Sequence, residues 1–364
     1  MVMAAAKGRV LPLLAVAAAL AAALLYRAPF SKSLGGEGCS LLPHDHFWIA
    51  SECVVTLGRV GPAAVEVKGG LINAIAVGDY RSFLLRRPVV DYGDAVIMPG
   101  LIDVHAHLDE PGRAEWEGFS TGTRAAAAGG ITTLVDMPLN SYPSTVSEET
   151  LKLKLDAAKD KLHVDVGFWG GLVPENALNP SALESLLNAG VLGLKSFMCP
   201  SGINDFPMTN STHIEDGHID MLSSDHSPSA PDLKLMEEGN FLRAWGGISS
   251  LQFVLPVTWS HGKKYGISLN QLASWWSERP AMLAGLKKKG AILPGYRADI
   301  VVWKPEAQFH LDDSHPVYHK HRNISAYLGK QLSGKILSTF VGGNLVFAED
   351  KHAKAACGAP ILAK

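Results

Sequence analysis

Met98-Pro-Gly-Leu-Ile-Asp-Val-His-Ala-His-Leu-Asp-Glu-Pro-Gly-Arg113 is an apolar run that ends in two histidines one residue apart. Residues i and i+2 of a strand point to the same face. His105 and His107 can therefore reach one metal ion from the end of one strand. Imidazole suits zinc and similar divalent ions. Pro-Gly before the strand and Asp-Glu-Pro-Gly-Arg after it fit a ligand strand with a loop at its mouth. A metal site needs more ligands than these two, and the rest of the chain has to supply them.

Downstream, strand and helix alternate, which indicates parallel βα units. Strand one covers residues 95–107. A small-residue helix follows over 118–128 and ends at Gly129-Gly130. Strand two is 131–137. A helix runs from Ser147 to Lys161, with Ser147 as cap and acidic residues in its first turn. Strand three is 164–169, a helix covers 181–188, and strand four is 191–197. Lys195 stands near the C-terminal end of that last apolar strand. A buried lysine is costly unless its charge is removed or paired, and carbamylation by CO2 would turn it into an anion able to bridge two metal ions. A later apolar stretch, 219–228, delivers Ser-Ser-Asp225-His-Ser-Pro in the same way. In βα barrels the C-terminal ends of the strands carry the chemistry. A carboxylate there can take a proton from an activated water and return it to a leaving nitrogen.

The remaining pattern places a second domain and excludes several classes. Short β-type runs separated by glycines fill residues 47–90, and a second β-type section runs from 290 to 347; the two are expected to share one small sheet domain. With 364 residues and a net charge of −2, the chain offers no case for a nucleic-acid partner. Its four cysteines (Cys39, Cys53, Cys199 and Cys357) show no CxxC spacing, so neither a zinc finger nor a disulfide scaffold is expected. Lys7 and Arg9 precede residues 10–26, which carry no charge. That is the pattern of a signal peptide or of a membrane anchor, and it points to the endoplasmic reticulum or secretory pathway. Asn210-Ser-Thr and Asn323-Ile-Ser would then be glycosylation acceptors.

The stretch at Met98–His107 together with Asp136-Met-Pro-Leu-Asn-Ser, Gly193-Leu-Lys-Ser-Phe, Asp220-Met-Leu-Ser-Ser-Asp-His-Ser-Pro and the run 290–303 resembles the cyclic amidohydrolases, and within them the plant allantoinases. The resemblance runs from about residue 41 to the end. It implies a (β/α)8 TIM-type barrel with a small β-sandwich built from both chain ends, and two zinc ions. In that arrangement His105 and His107 bind one metal, Lys195 as a carbamate bridges both, and Asp225 ligates and acts as general base. The implied reaction is hydrolysis of an amide of the hydantoin ring of allantoin to allantoate, in purine catabolism; a homo-oligomer is compatible with it. Dihydroorotases and dihydropyrimidinases are the weaker relatives. Dihydroorotases place an arginine two residues after the second histidine to hold the substrate carboxylate. Here that position is Asp109, which would repel such a substrate and favours neutral allantoin. Asn140 would sit at the same mouth and contact ring or ureido groups, with Arg113 as a loop anchor.

The expected division is a signal segment at 1–30, sandwich at 31–97, barrel at 98–288, sandwich again at 289–350 and a tail at 351–364. The barrel is incomplete. The family pattern has two further histidines, at the ends of strands five and six, and they are missing. Between Lys195 and Asp225 there are thirty positions, whereas a barrel of roughly 250 residues needs about 120 there, leaving the chain short by about 90. Strands five to seven are absent, with the join near Glu215-Asp216, as in an exon-skipped product. His213, His218 and His226 lie nearby, but the resemblance does not make any of them a replacement ligand. The expectation is an allantoinase-type chain of little or no activity; the alternative is a non-catalytic isoform that joins a full-length partner.

Overall fold

The computed structural model describes residues 38–79, 89–177, 179–196, 202–206 and 221–363. The expected signal segment, Cys199, Asn210, His213, His218 and the Glu215-Asp216 join lie outside them. Among the described residues, no helix is long and apolar enough to cross a membrane.

The chain begins with β1 (His46–Thr56), β2 (Arg59–Lys68), β3 (Leu71–Val77), β4 (Val89–Asp91) and β5 (Val96–Pro99). Gly69 and Gly70 both have positive φ, so they form the two-residue turn that matches the twist of β2 and β3. The stretch expected to be one strand over 95–107 is two. Gly100 hands it from β5 to β6 (Leu101–Ala106), which belongs to a different sheet. A Cβ on Gly100 would stand 2.2 Å from the Thr132 side chain, so only glycine lets the two layers approach at the crossing.

β6, β7 (Ile131–Asp136) and β8 (Asp165–Phe168) are parallel neighbours, connected by helices α1 (Phe119–Ala128) and α2 (Glu148–Ala158). Ser147 caps α2, accepting from the Thr150 N–H at 3.3 Å, while Thr150 Oγ1 accepts from the Ser147 N–H at 2.9 Å. Strand four shortens to a two-residue pairing of β10 (Leu194–Lys195) with β9 (Gly170–Gly171). The expected strand within 219–228 is irregular over the described residues 221–225. Only His226 bridges, to Ala106 on one side and Ile248 on the other. A closed eight-stranded barrel is not present among the described residues.

β11 (Ile300–His310), β12 (Gln331–Val341), β13 (Asn344–Ala348) and β14 (Lys351–His352) return to the first sheet, which runs β14-β13-β12-β11-β5-β1-β2-β3 with β4 beside β1. The expected sandwich is therefore one continuous sheet curled on itself. Phe47 of β1 stacks on Phe340 of β12 at 5.7 Å although two strands lie between them. The Gly69-Gly70 turn abuts the Gly342-Gly343 turn and closes the curl. Alternation along Ile300-Val301-Val302-Trp303 sends Ile300 and Val302 into the core of this sheet, and Val301 and Trp303 into the core shared with β6, β7 and α1.

Two ties add to the packing of these layers. Lys289 Nζ donates to Asp165 Oδ2 of β8 at 2.7 Å and to Asp299 Oδ2 at 2.6 Å, all three side chains being buried. Cys39 and Cys357 form a disulfide, a pairing the sequence reading did not make. Their Cα atoms are 5.5 Å apart although 318 positions separate them, and spacing along the chain carries no information about that distance. Just beyond Cys357, β15 (Pro360–Ile361) pairs with β8.

Candidate metal centre

His105 is on β6 and His107 directly follows it, so the pleat sends both rings to the mouth of the parallel sheet. Asp225 meets them there. Its Oδ1 lies 3.4 Å from His105 Nε2 and 3.7 Å from His107 Nε2. One ligand atom from each residue falls within 4.8 Å of the other two, a spacing that suits a shared divalent ion. Burial, aided by the positive charge of Lys195, holds His105 below the usual imidazole range, although Asp225 opposes the shift. Burial and the neighbouring His105 push His107 down to about 3. Both rings are thus neutral near pH 7 and offer lone pairs. Two imidazoles and a carboxylate are a donor set that fits zinc.

Lys195 is half-buried on β10 and near enough to oppose protonation of His105, but it lies outside the three-residue cluster. Asn140 is buried with φ 70°, and its carbonyl accepts from Arg113 Nη1 at 2.9 Å, so Arg113 does anchor the loop. Asp109 follows the second histidine by two positions. Its side chain is buried and both carboxylate oxygens lack a hydrogen-bond partner. Burial, with Asp136 and Glu117 facing it, holds the group well above the usual carboxylate range. Its φ is 63°, in the left-handed region.

Three residues that the sequence reading did not select hold the site from behind. Asp103 Oδ1, buried in β6, accepts from the N–H of His105 at 3.1 Å and of Ser224 at 3.2 Å, tying the two ligand segments together. Glu117 and His226 are fully buried and meet at 3.2 Å. An acidic residue inside an apolar strand was a readable sign for Asp103. Glu117, in a loop 109 positions from its histidine, had none.

The chain matches the allantoinase composite-domain model over residues 42–95 and the amidohydrolase-family model over 96–198 and 208–346. It is 71% identical to a probable allantoinase of Oryza sativa subsp. japonica over 507 aligned positions, with all of each chain covered. It is 48% identical to the allantoinase of Arabidopsis thaliana, with 98% of each covered. Among solved structures, an L-hydantoinase (dihydropyrimidinase) from Arthrobacter aurescens superposes with a TM-score of 0.78 at 19% identity, covering 88% of this chain and 100% of that one.

Proposed function

This chain belongs to the allantoinase family of the amidohydrolases, a metal-dependent hydrolase family, and we propose that His105, His107 and Asp225 hold its divalent metal, zinc. The substrate of that type is allantoin, and the bond cleaved is a ring amide of its hydantoin. A bound metal supplies Lewis-acid polarisation and acidifies water. Asp225 Oδ1, beside both imidazoles and with its side chain 67% exposed, is placed to accept a proton and to return it to the departing ring nitrogen. The observation that carries this reading is the convergence of those three residues. Lys195, carbamylated, would serve a second metal. Asn140 and Asp109 are retained as candidates for positioning the substrate.

An internal deletion is part of the same reading. The rice alignment spans 507 positions and this chain has 364 residues, which leaves 143 positions with no residue here. The two further histidines of the family pattern would belong to that segment, along with strands five to seven. We infer that the isolated chain is an allantoinase by type and turns allantoin over poorly, and the missing positions also favour a second reading, a non-catalytic isoform that joins a full-length copy. The remaining sequence expectations, export through the apolar N-terminus among them, stand as part of this proposal.

The test is allantoin hydrolysis by the purified chain with zinc and bicarbonate, using the His105→Ala variant as blank. Turnover no greater than the blank, from soluble protein, is the expected result. Clear metal-dependent turnover would overturn the deletion argument and require other ligands for the second metal.

A further inference from the structure

Asp225 reaches the candidate metal centre from a backbone that has no strand to support it. Its φ is 45°, a left-handed conformation that is strained for a non-glycine residue. Such a conformation persists only where the surroundings over-determine it. The support comes from the next residue. His226 is fully buried, and four hydrogen bonds fix it. Its N–H donates to Ser224 Oγ at 2.9 Å and its carbonyl accepts from the His107 N–H at 2.8 Å. Its ring Nδ1 accepts from the Ser250 N–H at 3.0 Å, so the ring hydrogen sits on Nε2 and is donated to Glu117 Oε2 at 3.2 Å. The other oxygen of Glu117, Oε1, accepts from the Lys320 N–H at 3.1 Å. Glu117 thereby links the loop before α1, the His226 ring and the segment at 319–320.

We propose that Glu117, acting through His226, is a positioning residue: the buried pair holds Asp225 where its carboxylate meets His105 and His107. This deepens the metal reading above and rests on it. Outer partners that orient ligand residues typically contribute 10–100-fold to metal affinity. Replacing Glu117 by an apolar residue of similar length leaves the His226 N–H without an acceptor in a dry interior. The ring then has cause to turn, and the strained Asp225 backbone to relax.

The experiment is titration of the full chain with Co2+ alone, read by the absorption of the bound ion, with urea unfolding of the metal-free proteins alongside. Glu117→Met is expected to weaken Co2+ binding 10–100-fold, and Glu117→Gln, which keeps an acceptor for the ring, to stay within a few-fold of the parent. Lys289→Met, which destabilises the chain far from the mouth, is expected to leave Co2+ affinity unchanged. That contrast separates positioning from general loss of stability. If Glu117→Met does not fold, His226→Asn carries the same expectation, because it keeps an acceptor for the Ser250 N–H and gives up Glu117. Parent and folded variant binding Co2+ alike would overturn this inference and leave the metal reading standing. A parent that binds no Co2+ would overturn both.

Discussion

Lys289→Met removes the cation that joins β8 to the curled sheet. In the parent, Nζ lies 2.7 Å from Asp165 Oδ2 and 2.6 Å from Asp299 Oδ2, and the two carboxylate side chains are each 4% exposed. The variant keeps Arg297 on Asp165 at 3.2 Å and leaves Asp299 without a cation. Breaking a buried pair from one side costs about 3–5 kcal/mol. The protein has one escape, which is to take up a proton on a carboxylate. At pH 7 that uptake costs about 1.4 kcal/mol for each pH unit above the ordinary carboxylate range near 4, about 4 kcal/mol in all. At pH 4.5 it costs less than about 1 kcal/mol by the same relation. The expected loss relative to the parent is therefore about 3–4 kcal/mol at pH 7, shrinking to about 1 kcal/mol at pH 4.5. Urea unfolding followed by tryptophan fluorescence, with parent and variant compared at each pH, reads this difference. Adding Asp299→Asn to the variant should recover most of the loss at pH 7. An equal loss at both pH values, or a loss below about 1 kcal/mol at pH 7, would refute the reasoning.

His319 is buried, and burial together with the adjacent His226 pushes it down to about 3. The unfolded chain binds that proton near pH 6.5, so stability should fall by a few kcal/mol as pH drops from 6.5 toward 3, and His319→Gln should flatten the urea midpoint against pH. The exposed Cys357 is open to reductant, and reducing its disulfide with Cys39 should cost about 2–5 kcal/mol in the same unfolding assay, with Cys39→Ser matching the reduced parent. Gly100→Ala should destabilise by about 1–3 kcal/mol through its collision with Thr132, and Thr132→Ala should relieve part of it. Phe119→Ala, which empties a fully buried site beside Phe168, should cost about 3–5 kcal/mol in thermal or urea unfolding.

Local periodicity made the parallel βα units legible. The helix cap at Ser147, the glycine stop after α1 and the apolar cores of β6, β7 and β8 all follow from rules that span a few residues. The candidate metal ligands were legible for the same reason, since His105 and His107 share a face through the two-residue pleat. The family pattern placed Asp225 beside them, and the structure brings it to within 3.7 Å of both rings. Other features depended on partners far along the chain. The single apolar run 95–107 serves two sheets, and nothing local to Gly100 announces that Thr132 sits against it. Asp109 reads as a polar residue at a mouth, and only the fold shows that its carboxylate is buried. Cys39 and Cys357 look unrelated until the fold brings them together. Glu117 and His226 meet only in the folded chain, since 109 positions separate them. The sequence by itself determined which residues could form strands, helices and a histidine pair, because those depend on period and local dihedral preference. Tertiary structure alone decided which buried charges meet, because a carboxylate or lysine away from water must find its partner wherever the fold places one.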